Sequence, residues 1–80
     1  MKAVVHIFLK EGVLDVQGKA VESALHGLGF GAVCDVRVGR SITFSLPAGD
    51  MAVAQSQVEA MCERLLANPV IESYRVDVTP

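Results

Sequence analysis

Four side chains in this sequence could act as nucleophile or base near neutral pH: Cys34, Cys62, His6 and His26. A thiolate beside an imidazole would give nucleophilic catalysis. Thiolates and imidazoles grouped at short spacing would hold zinc. The spacing supports neither chemistry. There is no C-x-x-C pair, and no histidine lies within ligand reach of a cysteine along the chain. Cys34 and Cys62 occupy apolar positions of their segments, where a thiol serves as a small hydrophobe. His26 reads as a surface residue, and His6 as an outward-facing residue in an oligomer contact. Asp15 and Asp50 each precede an apolar-periodic run, so helix capping accounts for them. Glu59, Glu63 and Arg64 read as a solvated helix face. Met51 and Met61 read as packing residues. Gly27-Leu28-Gly29-Phe30-Gly31 has the composition of a phosphate cradle but follows a helical pattern, whereas a dinucleotide fingerprint opens one. No nucleophile, base and orienting group come together. The expectation is a chain with no catalytic residues, no bound cofactor and no metal.

The polar residues with the strongest recognition character lie in Asp35-Val36-Arg37-Val38-Gly39-Arg40. Arginine offers a planar fork of donors suited to carboxylates and partner surfaces. A cross-strand charge pattern that keeps an exposed edge in solution would use the same residues. Asp35, Arg37, Gly39 and Arg40 are therefore candidates for a partner interface.

The chain that must position these groups has 80 residues, 51% of them hydrophobic, and a net charge of −2. That length implies one domain over residues 1–80, with only about 60–65% of the unfolded surface buried on folding. Scaffolds of this size lean on disulfides, metals or partner chains, and partner chains are the option the composition leaves. A pI near 5.5 argues against a nucleic-acid module, and a mean hydropathy of +0.43 against disorder. No apolar run reaches the 18 or so residues of a membrane helix. The start, Met1 to Lys10, reads as a strand rather than a signal peptide. Two cysteines without a pairing pattern suggest a reducing compartment, so the expected location is cytoplasmic.

Residues 2–9 are rich in β-branched and large apolar residues and predict a strand buried on both faces. Ala20, Val21, Ala24, Leu25 and Leu28 predict an amphipathic helix over 16–28, capped by Asp15 and ended by the glycines at 27, 29 and 31. Cys34, Val36 and Val38, then Ile42, Phe44 and Leu46, alternate with polar residues. They predict two strands in 32–46 joined by a hairpin at Gly39-Arg40. Pro47-Ala48-Gly49 reads as a loop, and Asp50 caps a second helix reaching about Ala67, where Asn68-Pro69 stops it. A last strand from Val70 to Thr79 places Tyr74, Val76 and Val78 on one face. The order is that of a ferredoxin-like α+β fold, βαββαβ. The expected architecture is a two-layer sandwich with a four-stranded antiparallel sheet and two helices on one face. The first strand would then carry apolar residues to the uncovered face. Val4, His6, Phe8 and Tyr74 are the candidates for a homodimer or homotetramer built through the sheet.

Three stretches carry a family resemblance: Leu9 to Gly18, Asp35 to Arg40, and Met61 to Arg75. They resemble the PurS family, the small subunit of phosphoribosylformylglycinamidine synthase. The family patterns are LK-x-x-V-L-D-P-Q-G, D-V-R-x-G-K and C-x-x-L-L-A-N-x-V-I-E-x-Y, and they occur here in order and at the right spacing. Val16 stands where the family has a proline suited to the first helical position. Arg40 stands for a lysine and changes the donor geometry. The resemblance implies a cytoplasmic protein of purine biosynthesis that dimerises or tetramerises. It would assemble with a large ATP-dependent synthetase subunit and a glutaminase subunit. That complex, a ligase, converts formylglycinamide ribonucleotide, glutamine and ATP to the amidine. The small subunit would bridge the other two and support ammonia transfer, with ATP and magnesium belonging to the complex.

Rival readings share the element order. An ACT-like amino-acid-binding regulatory module would use Gly12 to Gly18. An RNA-recognition domain would need stacking aromatics on central strands, of which only Phe8, Phe30, Phe44 and Tyr74 exist, on an acidic chain. A small enzyme would depend on His6 or His26.

Overall fold

The computed structural model of the chain describes residues 1–47 and 49–80. Ala48, part of the expected 47–49 loop, lies outside the described residues. The element order is β1 (Lys2–Leu9), α1 (Val16–Gly27), β2 (Arg40–Ser45), α2 (Met51–Met61) and β3 (Glu72–Thr79). α2 runs on into one π-helical turn, Cys62–Leu66, closed by the Ala67 N–H donating to Cys62 O at 3.1 Å.

Among the described residues the sheet has three antiparallel strands in the order β2-β1-β3. β1 is central, as its apolar composition predicts. The register sets Ala3 opposite Phe44 and Val78, Val5 opposite Ile42 and Val76, and Ile7 opposite Tyr74. Since facing residues share a sheet face, this set forms the inner layer. Ala3, Val5 and Ile7 are sealed there against Ala54, Val58 and Cys62. The last three recur at four-residue steps down α2 and its π turn, which is the spacing of one helical face. Asp50 caps α2 by accepting from Ala52 N at 2.8 Å, as expected.

Three expectations are corrected. First, residues 33–39 form no strand, so the fourth strand and the hairpin at Gly39-Arg40 are absent from the described chain. Asp35 has φ +56°, which breaks an extended run. The amide groups that would serve a ladder go elsewhere: Val38 N donates to Asp15 Oδ2 at 2.8 Å and Val36 N to Glu22 Oε1 at 3.3 Å. Cys34, expected inside, is exposed as a result. Second, only α2 covers the sheet, lying closest to β3. Among the described residues α1 packs substantially neither on a strand nor on α2. Third, Tyr74 sits on the inner face, not with Val4, His6 and Phe8 on the open one. Its hydroxyl donates to Glu63 Oε1 at 2.8 Å, and that bond pushes its pKa up to about 12.

The last strand also starts two residues late. Ile71 N and Glu72 N both donate to Asn68 O, holding 68–71 as a turn. The open face holds Val4, His6 and Phe8 down its centre, but β2 offers Ser41, Thr43 and Ser45 there, and β3 offers Ser73, Arg75 and Asp77. Its apolar part is a stripe one strand wide.

Candidate docking site

Residues 33–39 act as a strap that joins the end of β1 to the start of α1. Asp15 is the knot. It caps α1 by accepting from Gly18 N at 2.8 Å, and its other oxygen takes Val38 N at 2.8 Å. Those amide donors, Gly18 first and Val38 next, hold the buried carboxyl below its ordinary pKa, and the nearby Arg37 charge adds to the effect. Arg37 donates to Val13 O and Lys10 O, both at 3.1 Å, and so satisfies the carbonyls of the 10–14 loop. His26 Nε2 meets Val33 O at 2.6 Å at the other end of the strap.

Two glycines make the fit possible. A Cβ on Gly18 would collide with Val36 O, and one on Gly39 would lie 2.6 Å from Ile7 O. Both obstacles are backbone atoms, so neither yields cheaply. A groove of about 800 Å³ opens beside the knot, with Phe8, Leu14, Lys19, Glu22 and Arg37 on its walls.

Arg40 serves a different joint. Its Nη1 lies 2.6 Å from Glu72 Oε2, and its Nη2 donates to Glu72 Oε1 at 3.2 Å and Leu66 O at 2.7 Å. Glu72 also accepts from Asn68 N at 2.7 Å. The Arg40 bond first, then that of Asn68, lower its pKa. This clamp fastens β2 to the end of the π turn and the start of β3. Arg40→Ala would strand the Glu72 carboxylate and the Leu66 carbonyl. A loss of about 1–2 kcal/mol is expected, read as a fall in the denaturant midpoint. An unchanged midpoint would mean the clamp contributes nothing.

The four expected interface residues thus divide. Asp35 is exposed at the bend of the strap, while Arg37, Gly39 and Arg40 have intramolecular work that spacing alone did not reveal.

The open face brings together one set that the sequence reading missed. Ser41 Oγ lies 3.0 Å from His6 Nδ1, and His6 Nε2 lies 3.3 Å from Asp77 Oδ2. Arg75 Nε sits 3.6 Å from the same oxygen. The residue types match a hydrolytic triad, but His6 and Asp77 are 37% and 52% exposed on a flat face. Such catalysis needs a water-excluded site with donors for the developing oxyanion, so this set is a hydrogen-bonded patch. Only the strand register, and not the spacing, joins positions 6, 41 and 77. Among the described residues no group of three His, Cys, Asp or Glu side chains is placed to hold a metal, and no helix is long and apolar enough to cross a membrane.

Residues 2–80 match the family model for PurS, phosphoribosylformylglycinamidine (FGAM) synthase. The chain belongs to the PurS family. It is 46% identical over 77 residues to the PurS subunit of phosphoribosylformylglycinamidine synthase of Bacillus subtilis, covering 96% of this chain and 90% of the relative. It is 44% identical over 75 residues to the Synechocystis PurS subunit, covering 94% and 75%. The B. subtilis PurS structure superposes with a TM-score of 0.86 at 44% identity, covering 99% of this chain and 98% of that one. A chain in the structure of PurLQS from Thermotoga maritima superposes at 0.87 with 32% identity, covering 95% and 93%. The strap, the knot and the clamp all lie within the matched PurS residues.

Proposed function

We propose that this chain is the PurS subunit of FGAM synthase, the ligase of purine biosynthesis, and that it acts in the cytoplasm by assembly rather than by chemistry. It bridges the large ATP-dependent synthetase subunit and the glutaminase subunit. In doing so it supports passage of ammonia from glutamine to formylglycinamide ribonucleotide. The observation that carries this reading is the end-to-end match, in sequence and fold, to PurS chains, one of them from a PurLQS structure. The chemistry agrees. Gly27 to Gly31 close a helix rather than open one, with Gly29 N donating to His26 O, so they make no cradle for ATP. ATP and magnesium then belong to the large subunit.

The exposed strap, with Asp35 at its bend and Arg37, Gly39 and Arg40 following, is the docking surface for the larger subunits. Val4, His6 and Phe8 on the open face contribute to a homodimer or homotetramer. The test is glutamine-dependent FGAM formation by the two larger subunits, with and without this chain. Activity is expected to rise at least tenfold on its addition, the chain alone being inert. Full activity without it would overturn the bridging role.

A further inference from the structure

The open face carries two metal-type donors side by side. His6 lies on the central strand, with Ser41 of β2 and Arg75 of β3 as its cross-strand neighbours. Its Nδ1 lies 3.0 Å from Ser41 Oγ, an ordinary hydrogen-bond length. When Nδ1 carries the proton and donates to Ser41, Nε2 presents a lone pair. Nε2 then faces Asp77 Oδ2 at 3.3 Å. Two acceptor atoms that face each other at this distance repel unless a proton or a cation lies between them.

The distance selects among cations. Zinc holds nitrogen at about 2.0–2.1 Å and carboxylate oxygen at about 2.0–2.2 Å in a tetrahedron, whose edges are then about 3.4 Å. The gap between His6 and Asp77 is close to that edge. Octahedral magnesium, with bonds of about 2.0–2.1 Å, needs an edge of about 2.9 Å and takes oxygen ligands. Imidazole suits zinc, and Ser41 is the outer partner that fixes the tautomer of a ligating histidine. Arg75 Nε, 3.6 Å from the same Asp77 oxygen, is beyond hydrogen-bond length, and its side chain is 68% exposed and free to turn away.

A closed zinc site takes four ligands, and one chain brings two. Among the described residues no third His, Cys, Asp or Glu joins them. His6 and Asp77 are 37% and 52% exposed, so both reach outward from the sheet. Facing sheets pack about 10 Å apart. A metal midway lies about 5 Å from each sheet, within reach of a histidine and an aspartate side chain. A two-fold axis through that point brings two copies of the pair to one metal.

We propose that His6 and Asp77 form half of a tetrahedral zinc site, completed by the same two residues of a second copy across the open face. The site rests on the open-face contact proposed above and makes that contact metal-dependent. The paired form supplies four ligands and the separate chain two, so zinc pulls the equilibrium toward pairing.

The test uses the full chain, stripped with a chelator, and follows self-association by sedimentation with and without zinc chloride. Zinc is expected to tighten association at least tenfold and to bind at one ion per two chains, with magnesium chloride inert. Cobalt(II) in place of zinc should give the intense visible band of a four-coordinate ion. His6→Gln and Asp77→Asn should each abolish both effects with the circular dichroism unchanged. One zinc per chain with association unchanged would overturn the shared site, and so would full zinc response in either variant. Association that falls with Phe8→Glu but ignores zinc would overturn the metal site and leave the open-face contact standing. Association indifferent to both would overturn both.

Discussion

Ile7→Ala is expected to lower the melting temperature by about 15–20 °C. Ile7 is 1% exposed in the central strand β1, with β2 and β3 on either side. Truncating a buried isoleucine removes transfer free energy and leaves a cavity, together about 2–5 kcal/mol. At 4–8 °C per kcal/mol for a domain of this length, 3–4 kcal/mol gives that shift. A domain of this length has a total stability of roughly 4–12 kcal/mol, so the variant stands near the edge of folding. The neighbouring residue makes the comparison pointed. Phe8 is larger, but it points to the other face and is 46% exposed. Phe8→Ala should cost less than half as much. Equal losses in paired thermal melts would show that the inner and outer faces of β1 are wrongly assigned.

Asp15→Ala should lower the melting temperature at pH 7 by roughly 5–10 °C, since it removes a helix cap and the anchor of the strap together. The difference is expected to depend on pH. In the folded chain the Gly18 and Val38 amide donors keep the Asp15 pKa below the unfolded value of about 3.9. As pH falls, the unfolded chain takes up its proton first, and the contribution fades as pH passes down through the folded value. Glu72, lowered by Arg40 and Asn68, acts in the same direction. The gap between wild type and Asp15→Ala should therefore be full above pH 5 and shrink below pH 4. A gap that stays constant from pH 7 to pH 2.5 would mean that the carboxylate charge does not hold the strap. Because the same bonds position the strap proposed as the docking surface, that proposal expects assembly with the larger subunits to weaken in parallel.

The elements that local chemistry determines were legible in the sequence. β1 followed from its β-branched run, and both helix starts followed from Asp15 and Asp50, whose side chains cap as expected. The strap was misread because Cys34, Val36 and Val38 alternate like a strand. The alternation is real, but Asp35 in a left-handed conformation and the oxygens of Asp15 and Glu22 draw those amide groups out of any ladder. Periodicity reports which residues are apolar, not which groups take their hydrogen bonds. The uncovered α1 had the same origin. An amphipathic helix predicts something to cover it, but it does not say whether that cover lies in the same chain. Within the strap, Asp35 to Arg40 stood out by residue type. The internal duties of Arg37 and Arg40 did not, because their partners lie 24 to 32 residues away.

The π turn at Cys62–Leu66 has a consequence for how this chain can change length. Such a turn is an α-helix carrying one residue too many. Deleting any one residue between Val58 and Ala67 would let the segment rewind as ordinary helix. Every position after it would then rotate by about 100° and rise one step less. The Leu66 carbonyl would leave Arg40, and a deletion before Glu63 would also take Glu63 from Tyr74. The surplus residue is thus a spacer. Its side chains are under little packing constraint where they face outward, as Leu65 does at 82% exposed, but it fixes the count. Along this stretch natural variation should appear as substitution and almost never as a gap.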